Sequence, residues 1–434
     1  VTSALLTDRY ELTMVEAARK AGTADRRSVF EVFARHLPNG RRYGIVAGTG
    51  RFLEQLTQFR FHDAEIEWLR DNNVVDADTI DWLANYRFSG NVWGYQEGEV
   101  YFPGSPILIV EGTFAEAVVL ETLALSILNY DSAVASAATR MVCAADGRPL
   151  AEMGSRRATE RGAVAAARAA YIAGFSATSN LEAGRSWGIP TMGTAAHSFT
   201  LLHDSEEDAF RAQVAALGTE TTLLVDTYDV TAAVDLAIRV AGTSLGAVRI
   251  DSGDLPGQAA AVRKQLDGLG ATNTKITVTS DLDEYAIAAL LAAPVDSYGV
   301  GTSVVTGSGS PTAGMVYKLV ARTGSDGEWV SVAKKSTAKM SVGGRKFPVR
   351  GLNGGVATSE NLHVADDPDS PTAQADAGRA LLVPLVVDGI PEERYLGAAG
   401  TALAREHRAV AVAELPVDAF RLARGGPVIP TKYE

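Results

Sequence analysis

Between about residues 172 and 305 the chain repeats one unit. A short apolar run ends in small and polar residues, and a helical pattern follows. The runs are "GFSATSN" ending at Asn180, "IPTMGTAAH" at His197, "TTLLVDTYD" at Asp229, "GAVRIDSGD" at Asp254, "KITVTSD" at Asp281 and "YGVGT" at Thr302. Their ends are 17, 32, 25, 27 and 21 residues apart. "SEEDAFRAQVAALG", "VTAAVDLAIRVAG", "LPGQAAAVRKQLDGLG" and "LDEYAIAALLAA" lie between them. Strand, polar end, helix, strand is the rhythm of a parallel sheet. Six units in a row favour a βα barrel, whose chemistry collects at the C-terminal ends of the strands.

The flanks read differently. "TDRYELTMVEAARKAG" is a helix with Thr7 or Asp8 as cap and Gly22 as stop. "RRSVFEVFARHLP" alternates as a strand with one apolar side, and the Gly- and aromatic-rich stretch to about residue 112 reads as hairpins. "TFAEAVVLETLALSILNYDSAVASAATRMVCAA" is a buried helix. Beyond residue 320 come a basic patch, "KKSTAKMSVGGRKFPVR" (334–350), and a polar linker or loop, "DDPDSPTAQADAG".

Composition removes several classes of function. A net charge of -12 argues against a nucleic-acid partner. Cys143 is the single cysteine, so no intrachain disulfide forms and a reducing cytoplasm is the simplest setting. The opening residues, "VTSALLTDRYELTM", carry no signal-peptide pattern, and no apolar run is expected to span a membrane. GxGxxG after a strand, a Walker A lysine, HExxH and a cysteine cluster are all missing, and the two GxSxG matches, "GRSWG" (184–188) and "GTSLG" (242–246), precede apolar runs instead of forming a strand-to-helix elbow. The histidines other than His197 read as surface or loop residues.

The strand ends hold the candidates. In "VRIDSGDL", Arg249 and Asp251 share one face of a strand and point into the barrel mouth, beside Ser252, Gly253 and Asp254. Such a pair holds an anionic or hydroxylated substrate, or else forms a structural ion pair with Asp254 capping a helix. "VTSDLDE" and "GVGTSVVTG" place Asp281, Gly301 and Thr302 where backbone N–H groups meet anions. "EMGSRRATERG" sets Arg156 beside Arg157, either for a carboxylate or phosphate or as a solvated basic face. His197 sits among Thr194, Ala195, Ala196 and Ser198, small neighbours that leave space for a substrate.

"TDRYELTM", "EMGSRR", "GFSATSN", "GTAAHSF", "VRIDSGDL", "TSDLDE", "GVGTSV" and "VYKLV", in this order, resemble the nicotinate phosphoribosyltransferase family over nearly the whole chain. The resemblance implies a type II phosphoribosyltransferase fold: an irregular α/β barrel with an N-terminal α/β domain and C-terminal additions. The segments would be 1–112, 113–320 and a C-terminal 321–434 packing on both. It implies ATP-dependent, ligase-type transfer of phosphoribosyl from 5-phosphoribosyl diphosphate (PRPP) to nicotinate, the first step of NAD salvage from nicotinate. ATP would phosphorylate His197, and Mg2+ would ride on the diphosphate, with no protein metal ligand assigned. A cytoplasmic homodimer with shared active sites is implied, and the basic patch 334–350, similar to a lysine-rich C-terminal segment of the family, is either solvated surface or a nucleotide contact across the dimer. Arg249 and Asp251 would act at the reacting centre with His197, and with Ser252 and Gly253 would hold PRPP. Asp281, Gly301 and Thr302 would take its 5′-phosphate region. Met153 and Arg156 would flank the pyridine, with Tyr10 stacking from the other subunit. The nicotinamide-using relative has an aspartate where Ser179 aligns, so neutral Ser179 implies nicotinate. Two other readings are weaker. The decarboxylating quinolinate enzyme is shorter and has no reason to keep "GTAAHSF", and a non-catalytic sensor should have lost His197 or the acids.

Overall fold

The computed structural model describes residues 3–334, 341–369 and 378–434. They form two compact units: residues 1–136 with 310–434, and residues 137–309.

The second unit carries the βα rhythm. Its strands are β1 (Leu150–Glu152), β2 (Ala177–Thr178), β3 (Thr222–Leu224), β4 (Ala247–Ile250), β5 (Lys275–Val278) and β6 (Ser297–Val300). They pair in parallel in the order β2-β1-β6-β5-β4-β3, a curled half-barrel. The first and last strands in the chain, β1 and β6, are neighbours, and the sheet is left open at its two edge strands, β2 and β3. Leu223, Val248, Ile250, Ile276, Val278 and Val300 share one buried face of the sheet, while Arg249 and Thr277, on the other face, are only partly buried.

The opening falls where the sequence suggested a further strand. "IPTMGTAAH" makes only an isolated bridge, Thr178 to Thr191, with the Thr178 N–H donating to the Pro190 carbonyl and the Met192 N–H to the Thr178 carbonyl, each at 3.0 Å. Pro190 has no N–H to extend a ladder, and β2 offers only two residues to pair with. The chain instead turns into the short helix His197–Leu202. A strand not anticipated, β1, takes a place in the sheet.

The first unit is built on a seven-stranded antiparallel sheet. Its order is Trp329–Ser331, Met315–Thr323, Arg27–Ala34, Leu108–Thr113, Asn91–Tyr95, Leu382–Val387 and Ile390–Pro391. A four-stranded sheet of Arg379–Ala380, Arg345–Asn353, Val356–Ala365 and Thr431–Tyr433 belongs to the same unit. N- and C-terminal strands therefore share one set of backbone hydrogen bonds. That is why the compact units do not follow cuts at residues 112 and 320. One division falls inside helix Glu121–Ala144. The stretch Phe114–Ala144 is long and apolar enough to cross a bilayer, contrary to the reading from sequence, but 67% of its most apolar window is buried in the protein.

Two local expectations also change. Strand Arg27–Ala34 is buried on both faces, because Glu31 is neutralised by Lys346 at 2.8 Å. The basic patch is not one solvated face: Lys334 is exposed, Arg345, Lys346 and Arg350 are buried, and residues 335–340 lie outside the described residues. Of the polar linker, residues 370–377 lie outside them too.

Candidate active site

A cavity of about 280 Å³ opens at the C-terminal ends of the parallel strands. Met153, Arg156 and Arg157 follow β1, Arg249 and Asp251 end β4, Thr279, Ser280 and Asp281 follow β5, and Gly299, Gly301 and Thr302 end β6. Loops after four different strands thus converge on one space, as parallel α/β sheets arrange their sites.

The walls are packed closely. A Cβ on Gly299 would sit 2.5 Å from Thr279 Cγ2 and 2.7 Å from Met153 Sδ, so only glycine admits the methionine there. Ser280 adopts φ +138°, a strained conformation for a residue with a side chain, at the pocket wall.

The charged groups rest on neutral partners. Arg249 donates to the Thr194 hydroxyl, while its Nε is buried without a hydrogen bond. Burial pulls the Arg249 guanidinium below its ordinary value, Asp251 and Asp226 push it back up, and Arg156 lowers it further. Asp251 accepts from the Thr279 hydroxyl. Asp226 accepts from the Asp251 N–H at 2.9 Å and the Ser252 hydroxyl at 2.8 Å through Oδ2. Its Oδ1 is buried with no hydrogen-bond partner.

His197 meets these acids. Its Nδ1 lies 3.1 Å from the Thr227 hydroxyl. Its Nε2 lies 3.8 Å from Asp226 Oδ1 and 3.9 Å from Asp251 Oδ2, within ion-pair reach once the ring is protonated. The ring is therefore held by a hydroxyl on one side and faces two carboxylates on the other. It is 40% exposed, so a reactant has access.

Seven of the expected residues line the cavity: Met153, Arg156, Arg249, Asp251, Asp281, Gly301 and Thr302. His197 joins them through Asp251. Ser252 is held by Asp226, and Gly253 makes the turn before helix Leu255–Gly268 with φ +88°. Asp254 sits at that helix's N-cap without a side-chain cap bond. Ser179 is exposed just beyond β2, outside the cavity wall, its N–H donating to the Glu152 carbonyl at 2.9 Å. Tyr10 belongs to the first unit, exposed on helix Arg9–Lys20, with its hydroxyl toward Glu121. Asp226, Thr227, Thr279 and Glu152 were not singled out from sequence. "LLVDTYD" offered the signal for the first two, since Asp226 and Thr227 directly follow strand residues. Among the described residues no group of three His, Cys, Asp or Glu forms a metal cage.

A parallel half-barrel with arginines, carboxylates and a histidine at its strand ends defines a class of enzyme acting on anionic, hydroxylated substrates. The family model for the nicotinate phosphoribosyltransferase N-terminal domain matches residues 5–129. Nicotinate phosphoribosyltransferase pncB1 of Mycobacterium tuberculosis is 56% identical over 99% of this chain and 94% of its own length. Nicotinate phosphoribosyltransferase of Bacillus subtilis is 38% identical over 83% of this chain and 76% of its own. The crystal structure of human nicotinic acid phosphoribosyltransferase superposes with a TM-score of 0.82 at 26% identity, covering 99% of this chain and 97% of that one. The chain belongs to the nicotinate phosphoribosyltransferase family, and its fold is of the type II phosphoribosyltransferase kind.

Proposed function

We propose that the chain transfers phosphoribosyl from PRPP to nicotinate, and that ATP drives the transfer through phosphorylation of His197. The observation that carries the reading is the placing of His197 within 4 Å of Asp226 and Asp251, the latter lining a cavity with Arg249 and Asp281. The pyridine nitrogen forms a bond to C1′ as the bond from C1′ to diphosphate breaks, and diphosphate leaves. Positive charge grows on the ribose in this step. Asp251 is placed to stabilise it, and Arg249 to steady the phosphate oxygens. Asp281, Gly301 and Thr302 take the 5′-phosphate region, with Ser252 and Gly253 shaping the same rim.

The histidine step is separate. A ring nitrogen attacks the terminal phosphorus of ATP, ADP leaves, and water later releases phosphate. The buried, unbonded Oδ1 of Asp226 is the nearest site for charge that builds on the ring. Mg2+ would enter with substrate, held beside the diphosphate oxygens, with the Asp251 and Asp281 carboxylates that line the cavity able to contact it. When bound, it offsets charge on the leaving diphosphate. Met153 and Arg156 form the base-binding wall, Ser179 favours nicotinate over nicotinamide, and Tyr10 completes the site of a second copy in a homodimer.

The test is nicotinate mononucleotide formation with nicotinate, PRPP and Mg2+, with and without ATP, beside a nicotinamide series. Product from nicotinate, stimulated by ATP and matched by ADP, supports the reading. Product that ignores ATP refutes the histidine step, and product from nicotinamide alone refutes the role of Ser179.

A further inference from the structure

Glu152 ends β1 and is fully buried, yet its side chain does not line the cavity. Its hydrogen-bond donors are all neutral. One carboxylate oxygen accepts from the Gly154 N–H, the other from the Thr178 hydroxyl at 2.6 Å. Its backbone carbonyl accepts from the Ser179 N–H at 2.9 Å. Burial pushes this carboxyl above its ordinary value, opposed by the Thr178 and Gly154 hydrogen bonds. A buried carboxylate is costly to keep, and a neutral side chain of similar size would fill the same space.

These bonds join two loops. One loop carries Met153, Arg156 and Arg157, and the other carries Ser179. The lacing continues from Thr178, whose hydroxyl accepts the Asn180 N–H at 3.0 Å, and from Asn180, whose amide donates to the Ser155 hydroxyl at 3.0 Å. Gly154 is wedged from the far side: a Cβ there would lie 2.3 Å from Val305 Cγ1 and 2.8 Å from the Gly301 carbonyl. The first loop therefore has one place to sit, and Glu152 ties the second loop to it.

We propose that Glu152 is a positioning residue that fixes the distance between the Met153–Arg157 loop and Ser179, and through it the preference for a pyridine carboxylate. The inference rests on the reading of Met153, Arg156 and Ser179 as the contacts of the base. The loops that carry Arg249, Asp251 and Asp281 are held through Asp226 and Thr279 instead, and only Gly301, whose carbonyl meets Gly154, touches the Glu152-held loop, so PRPP binding depends less on Glu152 than nicotinate binding does.

Steady-state kinetics with Glu152→Ala test it, both KM values being measured together with turnover of nicotinamide. The KM for nicotinate should rise about tenfold or more, as expected when a contact wall shifts by a fraction of an ångström to an ångström. The KM for PRPP should stay within about twofold, and the ratio of nicotinate to nicotinamide use should fall. Thr178→Val should move the nicotinate KM in the same direction by less, and Thr178→Ser should restore it. Equal changes in both KM values, or no change in a folded variant, overturn the inference. If Glu152→Ala does not fold, the Thr178→Val and Thr178→Ser pair decides by the same criterion. A wild-type protein that makes no product from nicotinate refutes the underlying reading, visibly and before any variant is compared.

Discussion

The sheets of the first unit and the strand ends of the second treat their charges in opposite ways, although elsewhere the second unit also pairs charges, Arg140 with Glu284 at 3.0 Å. In the first unit, arginine and lysine meet carboxylates directly. Arg350 and Glu360 pair at 2.8 Å with neither side chain exposed. Arg379 bridges Glu99 at 2.7 Å and Glu414 at 2.6 Å, and His407 reaches Glu99 at 2.8 Å. Lys346 spends its ammonium on Glu31, Val342 and Gly344. In the second unit, at the strand ends, Arg249 leans on a threonine, and Asp226 and Asp251 accept from backbone, serine and threonine. Paired charges cancel and hold architecture together. Charges rested on neutral donors keep their field and stay available to a ligand. Arginine content alone would not tell these regions apart; the partners do.

Five variants break or sharpen this contrast. The largest effect belongs to His197→Ala, which should abolish ATP stimulation and any acid-labile, alkali-stable phosphoenzyme from labelled ATP, while slow ATP-independent synthesis persists. Retained labelling would show that the site's charges serve another group. Next, Arg350→Met should destabilise the protein by about 3–5 kcal/mol in denaturant titration, because Glu360 is left buried and unpaired. Arg249→Met should cost only about 1 kcal/mol, the scale of a lost hydrogen bond to a hydroxyl, yet remove PRPP binding measured by calorimetry. Equal destabilisation by the two would erase the contrast between paired and unpaired charges. Ser179→Asp should raise the KM for nicotinate about tenfold, since like charges at an exposed rim are partly screened by water, and an unchanged KM would remove Ser179 from the base site. The smallest effect is a slope. Burial raises the Glu11 carboxyl from its ordinary 4.5 to about 7, against the Thr122 and Thr7 hydrogen bonds. The unfolded chain then releases this proton first, so its contribution to stability is complete below about pH 4.5 and is lost as pH rises to about 7. Glu11→Gln should flatten the stability profile over that interval.

Much of the second unit could be read from the chain. Apolar runs ending in polar residues are local signals, and Arg249 and Asp251 two apart on a strand must share a face. Pairing is not local. Nothing in "IPTMGTAAH" announces that β2 is too short to support a ladder, so a strand was expected where only a bridge exists. Asp226 was passed over because the run was taken to end at Asp229, which caps helix Val230–Ala241. The C-terminal patch misled for the same reason. Arg345, Lys346 and Arg350 look like solvated surface until Glu111, Glu31 and Glu360 arrive from other strands. His407 likewise looked like surface, but its partner Glu99 lies 308 positions away.

The opening in the parallel sheet carries one more consequence. In a complete ring, displacing any strand strains both of its neighbours, and the disturbance travels around the circle. Here the backbone of the segment bearing His197 joins the sheet by a single bridge and its flanking bonds, and its other ties are through side chains, Thr194 to Arg249 and His197 to Thr227. If His197 is phosphorylated as proposed, its backbone can adjust to the added bulk and charge without changing the pairing register of the strands that carry Arg249, Asp251 and Asp281.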